Sequence, residues 1–189
     1  MPFDHPTQLI DHFDRRISYL RLSVTDRCDF RCQYCMAEIM EFLPRSEVLT
    51  IEELLRTARL FTELGVRKIR VTGGEPLIRR GVHELFEGLG ALADLDTLAL
   101  TTNGSHLADS AHALRDAGVK AINISLDSLQ AERFKTITRI GDLDTVLQGI
   151  DRAVECGFDR IRLNAVILNG LNRDEVVPLT HYALKKGIH

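Results

Sequence analysis

One unit repeats along this chain: a helical run, a glycine, one apolar residue, one or two charged residues and then a short β-rich run. Leu64-Gly65-Val66-Arg67-Lys68 leads into Ile69-Arg70-Val71-Thr72, and Ala117-Gly118-Val119-Lys120 leads into Ala121 to Asp127. A third copy, Cys156-Gly157-Phe158-Asp159-Arg160, leads into Ile161 to Ile167. Glycine at each helix end suits a left-handed C-cap, and a helix that always returns to a strand makes βα units with parallel pairing. Strands are expected near 17–24, 67–72, 96–102, 120–126 and 160–167. Lys185-Lys186-Gly187-Ile188-His189 supplies a further helix end and glycine with no strand after it. The expected fold is therefore α/β, an incomplete (βα) barrel of about five parallel βα units, cut short before a sixth strand. Residues 1–16 read as an N-terminal extension and 17–189 as the partial barrel.

Side chains alternate faces along a strand, so the two faces of the sheet can be assigned directly. Arg21, Ser23 and Thr25 oppose Leu20, Leu22 and Val24; Arg70 and Thr72 oppose Ile69 and Val71; Ala99, Thr101 and Asn103 oppose Leu98 and Leu100. Asn123, Ser125 and Asp127 oppose Ile122, Ile124 and Leu126, while Arg162 and Asn164 oppose Ile161 and Leu163. Crossover helices, such as Ile51 to Leu64 and Leu143 to Cys156, need an apolar surface, so the polar face turns inward. Helix residues Leu54, Leu55, Ala58 and Leu60 read as packing on that surface. An ordinary barrel fills its interior with bulky apolar side chains; this one reserves a polar lumen. Arg21, Arg70 and Arg162 inside it match phosphate or carboxylate geometry and point to a polyanionic substrate, unless they pair with lumen carboxylates or lie at solvated strand ends.

Three of the four cysteines stand close together, Cys28, Cys32 and Cys35, in a C-x3-C-x2-C pattern with Tyr34 before the last. A structural zinc site takes four protein ligands, whereas three thiolates on a four-iron cluster leave one iron free to bind a reactant. The alternatives are a zinc knuckle completed by a distant histidine, although His12 and His83 sit at no familiar spacing, and a disulfide framework, which suits short secreted chains better. Cys156 reads as a small buried residue with no ligand role.

The expected strand ends carry further polar groups. After the second strand comes Gly73-Gly74-Glu75-Pro76, whose glycines allow close backbone approach to a ligand and whose proline forbids an early helix. The third ends in Thr101-Thr102-Asn103-Gly104 and the fourth in Ser125-Leu126-Asp127. The histidines show no catalytic spacing. With 44% hydrophobic and 27% charged residues and a net charge of −3, the 189 residues make one ordinary core and announce neither a nucleic-acid polymer nor a membrane as partner. Met1 to Arg16 lacks an apolar targeting segment, so a cytoplasmic setting is expected, consistent with reduced thiols.

Leu20 to Cys28, the cysteine loop with Met36, and Ile69-Arg70-Val71-Thr72-Gly73-Gly74-Glu75-Pro76-Leu77 together resemble the GTP 3′,8-cyclase family of radical S-adenosylmethionine enzymes. The resemblance continues through Glu41 to Arg45, Thr101 to Gly104, Asn123 to Asp127 and Arg162 to Val166. It implies a barrel of the radical S-adenosylmethionine type in which Cys28, Cys32 and Cys35 hold a [4Fe-4S] cluster and Tyr34, Gly74 and Ser125 contact S-adenosylmethionine. Arg21, Arg70, Thr101 and Arg162 would contact GTP, with Arg162 replacing a customary lysine; Ala37 stands where a proline is common. The implied reaction is the rearrangement of GTP that opens molybdenum cofactor biosynthesis; the alternatives are a radical S-adenosylmethionine enzyme acting on a peptide, against which the inward arginines argue, and a non-catalytic metal-binding module. Further implications are an electron donor such as flavodoxin or ferredoxin, a downstream cyclic pyranopterin monophosphate synthase, a homodimer, and a second [4Fe-4S] cluster in a C-terminal region absent from these residues.

Overall fold

A computed structural model describes residues 8–189, so the start of the expected N-terminal extension lies outside the described residues. Five strands form one parallel sheet: β1 (Tyr19–Ser23), β2 (Lys68–Thr72), β3 (Thr97–Thr102), β4 (Val119–Ser125) and β5 (Arg160–Asn164). They follow the expected positions and shorten the fifth by three residues, because Val166 to Leu171 turns away as a loop. Between and after them lie α1 (Ile51–Glu63), α2 (Val82–Gly90), α3 (Leu107–Asp116), α4 (Ala131–Thr138), α5 (Leu143–Cys156) and α6 (Val176–Lys186).

Strand order equals chain order. Every crossover therefore steps in the same direction, and right-handed connection places all the crossover helices on one side of the sheet. Ile69, Val71, Leu100, Ile122 and Ile124 face those helices and are fully buried. Each such side chain stabilises the fold by about 1.5–3 kcal/mol. Among the described residues the opposite face has no helix layer, and it carries the polar residues. The sheet stays open; the backbone of His189 pairs beside β5, donating to Ile161 O at 3.1 Å and accepting from Leu163 N at 2.6 Å.

Local signals explain the helix ends. Thr50 and Glu53 form a reciprocal capping box at the start of α1, and the Asp142 carboxylate accepts from Thr145 N at the start of α5. Gly65, Gly118, Gly157 and Gly187 have φ of 94°, 85°, 67° and 68°, the left-handed conformations expected at the helix ends. In α1 the buried stripe runs Leu54, Ala58, Thr62, at i, i+4 and i+8; Leu60 falls on the far side and is exposed, which corrects its assignment as packing.

Candidate functional site

The cysteine loop leaves β1 and lies at the C-terminal ends of β2, β3 and β4, where side chains from separate βα units meet. Within it, Cys35 N and Met36 N both donate to Cys32 O, at 2.9 and 3.0 Å, closing a turn that carries two of the three thiols. Phe30 is buried, anchoring the loop edge-to-face on Phe134 with ring centroids 6.0 Å apart.

Three sets of partners hold this loop. Asp29 accepts from Asn103 Nδ2 at 2.7 Å and from Ser105 Oγ at 2.6 Å, tying it to the end of β3. Tyr34 donates its hydroxyl to Asp127 Oδ2 at 2.8 Å, tying it to the end of β4. The last turn of α4 supplies the third: Arg31 N donates to Thr138 O, Gln33 N to Ile137 O and Gln33 Nε2 to Thr136 O. These are carbonyls that a helix C-terminus otherwise leaves unpaired.

Cys28 and Cys32 are partly buried, whereas Cys35 is exposed. Phe30 N donates to Cys28 Sγ at 3.4 Å, with Asn103 Nδ2 at 3.8 Å from the same sulfur. Burial pushes the Cys28 thiol up to about 11 and Cys32 to about 12, reinforced at Cys28 by Asp29 and Glu75 and at Cys32 by Asp127. Two guanidiniums, Arg27 and Arg31, lie over the Phe42 ring at 5.4 and 5.3 Å, and Arg31 also donates to the carbonyls of Cys28 and Phe30. Among the described residues no three His, Cys, Asp or Glu side chains converge as a single metal ion requires. The fourth cysteine is remote from the loop: Cys156 is partly exposed rather than buried, its sulfur 3.5 Å from His112 Nδ1.

The glycine pair packs closely against the chain itself. A Cβ on Gly74 would stand 2.2 Å from Arg27 O, and one on Gly73 2.5 Å from Thr25 O. The close approach these glycines permit is thus to the backbone entering the cysteine loop; Gly74 N donates to Thr25 O and Glu75 N to Arg27 O. Pro76, expected to delay a helix, opens a 3-10 turn, Pro76–Ile78, because proline at a first helical position loses no needed hydrogen bond. Glu75, fully buried, accepts from Leu77 N at 3.0 Å, Thr102 Oγ1 at 2.9 Å and Asn103 N at 2.6 Å. Burial outweighs those donors and pushes its carboxyl up to about 7.

On the open face Arg21 and Arg70 are register partners, and Thr101, Asn123 and Arg162 form a second row. Ala99, beside Arg70 in register, leaves room there. Arg70 is only 7% exposed and donates to Tyr19 Oη at 3.0 Å, Leu100 O at 3.1 Å and Thr101 Oγ1 at 3.3 Å. Among the described residues none of the three arginines enters an ion pair, so pairing with lumen carboxylates is not how they are accommodated. Arg21 is solvated and Arg162 half-buried. Ser125 ends β4 beside Asn164 of β5.

Sequence reading overlooked several residues here. Asp29 stood between two cysteines, and Glu75 lay inside the glycine motif, so both had a local signal. Asn172 had none; fully buried, it donates to Asp127 O at 2.7 Å and Val166 O at 2.9 Å.

The sequence profile of the Radical SAM superfamily matches residues 22–183. The chain belongs to the radical SAM superfamily. Two relatives named GTP 3′,8-cyclase are similar to it: that of Ectopseudomonas mendocina (strain ymp) is 58% identical over 97% of this chain and 56% of its own length. That of Saccharophagus degradans is 57% identical over 95% of this chain and 54% of its own. The chain thus spans about half the length of the curated relatives it matches. Among solved structures, Streptococcus suis SuiB bound to S-adenosylmethionine has a TM-score of 0.72 at 19% identity, covering 90% of this chain and 39% of that one. Methylornithine synthase (PylB) has a TM-score of 0.69 at 15% identity, covering 90% and 50%. These likenesses show the fold alone.

A radical SAM protein carries a [4Fe-4S] cluster and binds S-adenosylmethionine, and the cysteine loop fits that cluster. It offers soft thiol donors, N–H groups directed at sulfur and nearby guanidiniums against the charge of thiolates. A cluster also takes each thiolate on a separate iron, so its ligands need not converge on one point.

Proposed function

We propose that this chain is the radical-generating part of a GTP 3′,8-cyclase, which rearranges GTP to (8S)-3′,8-cyclo-7,8-dihydroguanosine 5′-triphosphate in the first step of molybdenum cofactor biosynthesis. The observation that carries this reading is Arg70, a nearly buried guanidinium without an ion-pair partner among the described residues, beside Arg21 on a polar sheet face in a chain so similar to GTP 3′,8-cyclases. A buried cation held only by neutral acceptors favours an anionic ligand.

In this reading Cys28, Cys32 and Cys35 hold the cluster, and Tyr34, Gly74 and Ser125 line the S-adenosylmethionine position. Arg21, Arg70, Thr101 and Arg162 bind the triphosphate and ribose. The cluster and S-adenosylmethionine, once held by those residues, would supply one-electron chemistry toward the ribose and base of a bound GTP. The protein's own part is placement. Phe30 and the Asp29, Tyr34 and α4 contacts fix the thiols, and the arginine rows orient the nucleotide. Residues 17–189 serve as the partial barrel behind the 1–16 extension. A second, guanine-binding cluster is assigned to sequence beyond these residues, since Cys156 is the sole remaining cysteine. The reading also takes flavodoxin or ferredoxin as electron donor, cyclic pyranopterin monophosphate synthase as the next enzyme, a homodimer as the assembly and the cytoplasm as its setting. No helix among the described residues is long and apolar enough to cross a membrane.

Anaerobic reconstitution tests it. About four irons per chain, with absorption and paramagnetic resonance of a [4Fe-4S] centre, are expected. S-adenosylmethionine and reductant should then yield 5′-deoxyadenosine, and GTP should bind competitively with inorganic triphosphate. Stoichiometric zinc without iron would end the radical reading; deoxyadenosine formation with no GTP binding would redirect it to another substrate.

A further inference from the structure

Arg139 follows the last turn of α4 in a backbone conformation that L residues rarely adopt, φ 64° and ψ −39°. Of the described non-glycine residues only Asp14 shares a positive φ. Such a conformation persists only where surrounding contacts hold it, and it concentrates at functional sites. Here the contacts are specific. The Arg139 guanidinium donates from Nη1 to Arg31 O at 2.9 Å and to Met36 O at 3.2 Å.

Those two carbonyls immediately precede Cys32 and follow Cys35. One nitrogen therefore joins the two ends of the turn that carries both thiols, the same turn closed inside by Cys35 N and Met36 N on Cys32 O. The exchange with α4 runs in both directions: helix carbonyls take the N–H groups of Arg31 and Gln33, and Arg139 returns a cationic donor to loop carbonyls. Gly141 makes room beneath, since a Cβ there would lie 2.9 Å from Phe30 Cζ and 2.9 Å from Phe134 Cε1. A residue with an ordinary backbone at 139 would start elsewhere and carry the guanidinium away from this turn.

We propose that Arg139 is a positioning residue for the cluster: it fixes the separation of Cys32 and Cys35, and its strained backbone is retained because it aims the guanidinium at the turn. This rests on the reading of Cys28, Cys32 and Cys35 as cluster ligands. The role is mechanical at the turn, so it differs for Cys28, which lies outside the bracket and is held by Phe30 N.

The test uses the whole chain with Arg139→Met, Arg139→Gly and Arg139→Lys. Glycine suits a left-handed backbone, so Arg139→Gly remains folded even if Arg139→Met does not. In the metal-free, reduced protein, thiol labelling followed by peptide mapping should show Cys32 and Cys35 reacting faster in the Gly and Met variants, with Cys28 near the parent rate. After reconstitution, loss of iron to a chelator should be on the order of tenfold faster in both, with partial recovery in Arg139→Lys. Parent-like labelling in Arg139→Gly, or equal acceleration at all three cysteines, would overturn the proposal. A parent chain that takes up no iron would count against the ligand reading, while the labelling ratios would still decide the role of Arg139.

Discussion

The Tyr34 hydroxyl and the Asp127 carboxylate meet at 2.8 Å, joining the cysteine loop to the end of β4. Asp127 is 3% exposed, and its other oxygen accepts from Val166 N at 2.8 Å in the loop after β5. One carboxylate therefore ties two loops to the end of β4. Its burial raises its own pKa, opposed by those two donors.

Removing the hub should cost more than removing a spoke. Asp127→Ala leaves Val166 N and the Tyr34 hydroxyl unpaired and should destabilise by about 2–4 kcal/mol, against about 1 kcal/mol for Tyr34→Phe. Urea unfolding of both variants gives the comparison; equal losses would show that Asp127 does not join the two loops energetically.

Glu75 sets a pH dependence whose sign can be worked out. Its carboxyl is raised in the folded chain from 4.5 to about 7, so the folded state holds that proton more tightly. The stability it contributes is full below pH 4.5 and declines as pH rises toward about 7, by up to about 3 kcal/mol. Glu75→Gln cannot ionise, and the stability difference between parent and variant should shift in the variant's favour across that interval. A difference that stays flat from pH 4.5 to 7.5 in chemical denaturation would contradict the assignment.

Gly74 and Gly157 should respond differently to alanine. At Gly74 a Cβ meets the fixed backbone of Arg27 at 2.2 Å, whereas at Gly157 nothing lies within 4 Å and only the φ of 67° resists. We expect Gly157→Ala to cost about 1 kcal/mol and Gly74→Ala about 3 kcal/mol or more. Thermal unfolding ranks them, and iron uptake after reconstitution should fall only for Gly74→Ala.

Arg70 should trade stability against binding. Replacing its buried charge with methionine removes a desolvation cost and loses hydrogen bonds to three neutral acceptors, so unfolding stability should change by no more than about 1 kcal/mol. Affinity for GTP should fall by at least about tenfold, because a charge-assisted contact to phosphate has gone. Calorimetric titration with parent-like affinity would remove Arg70 from the nucleotide site.

The features legible in the sequence were those written locally. Gly65, Gly118 and Gly157 marked helix ends because a left-handed cap selects glycine, and strand alternation placed Arg70 opposite Ile69 because side chains must alternate. The cysteine spacing likewise announced its loop. Asn172 on Asp127 and Arg139 on Met36 could not be read, since each joins distant segments through an ordinary polar residue. Gly74 shows the same limit: its small size was evident, but the chain segment packed beside it was not.

Strand order that follows chain order has a consequence for synthesis. As the polypeptide leaves the ribosome, each βα unit docks on an edge already made, without waiting for a later strand to slip between earlier ones. The principal anchors of the cysteine loop, from Thr25 and Gly74 through Asn103 and Asp127 to Arg139, precede β5. The thiol nest can therefore take shape on the nascent chain while the rest of the barrel is still being translated.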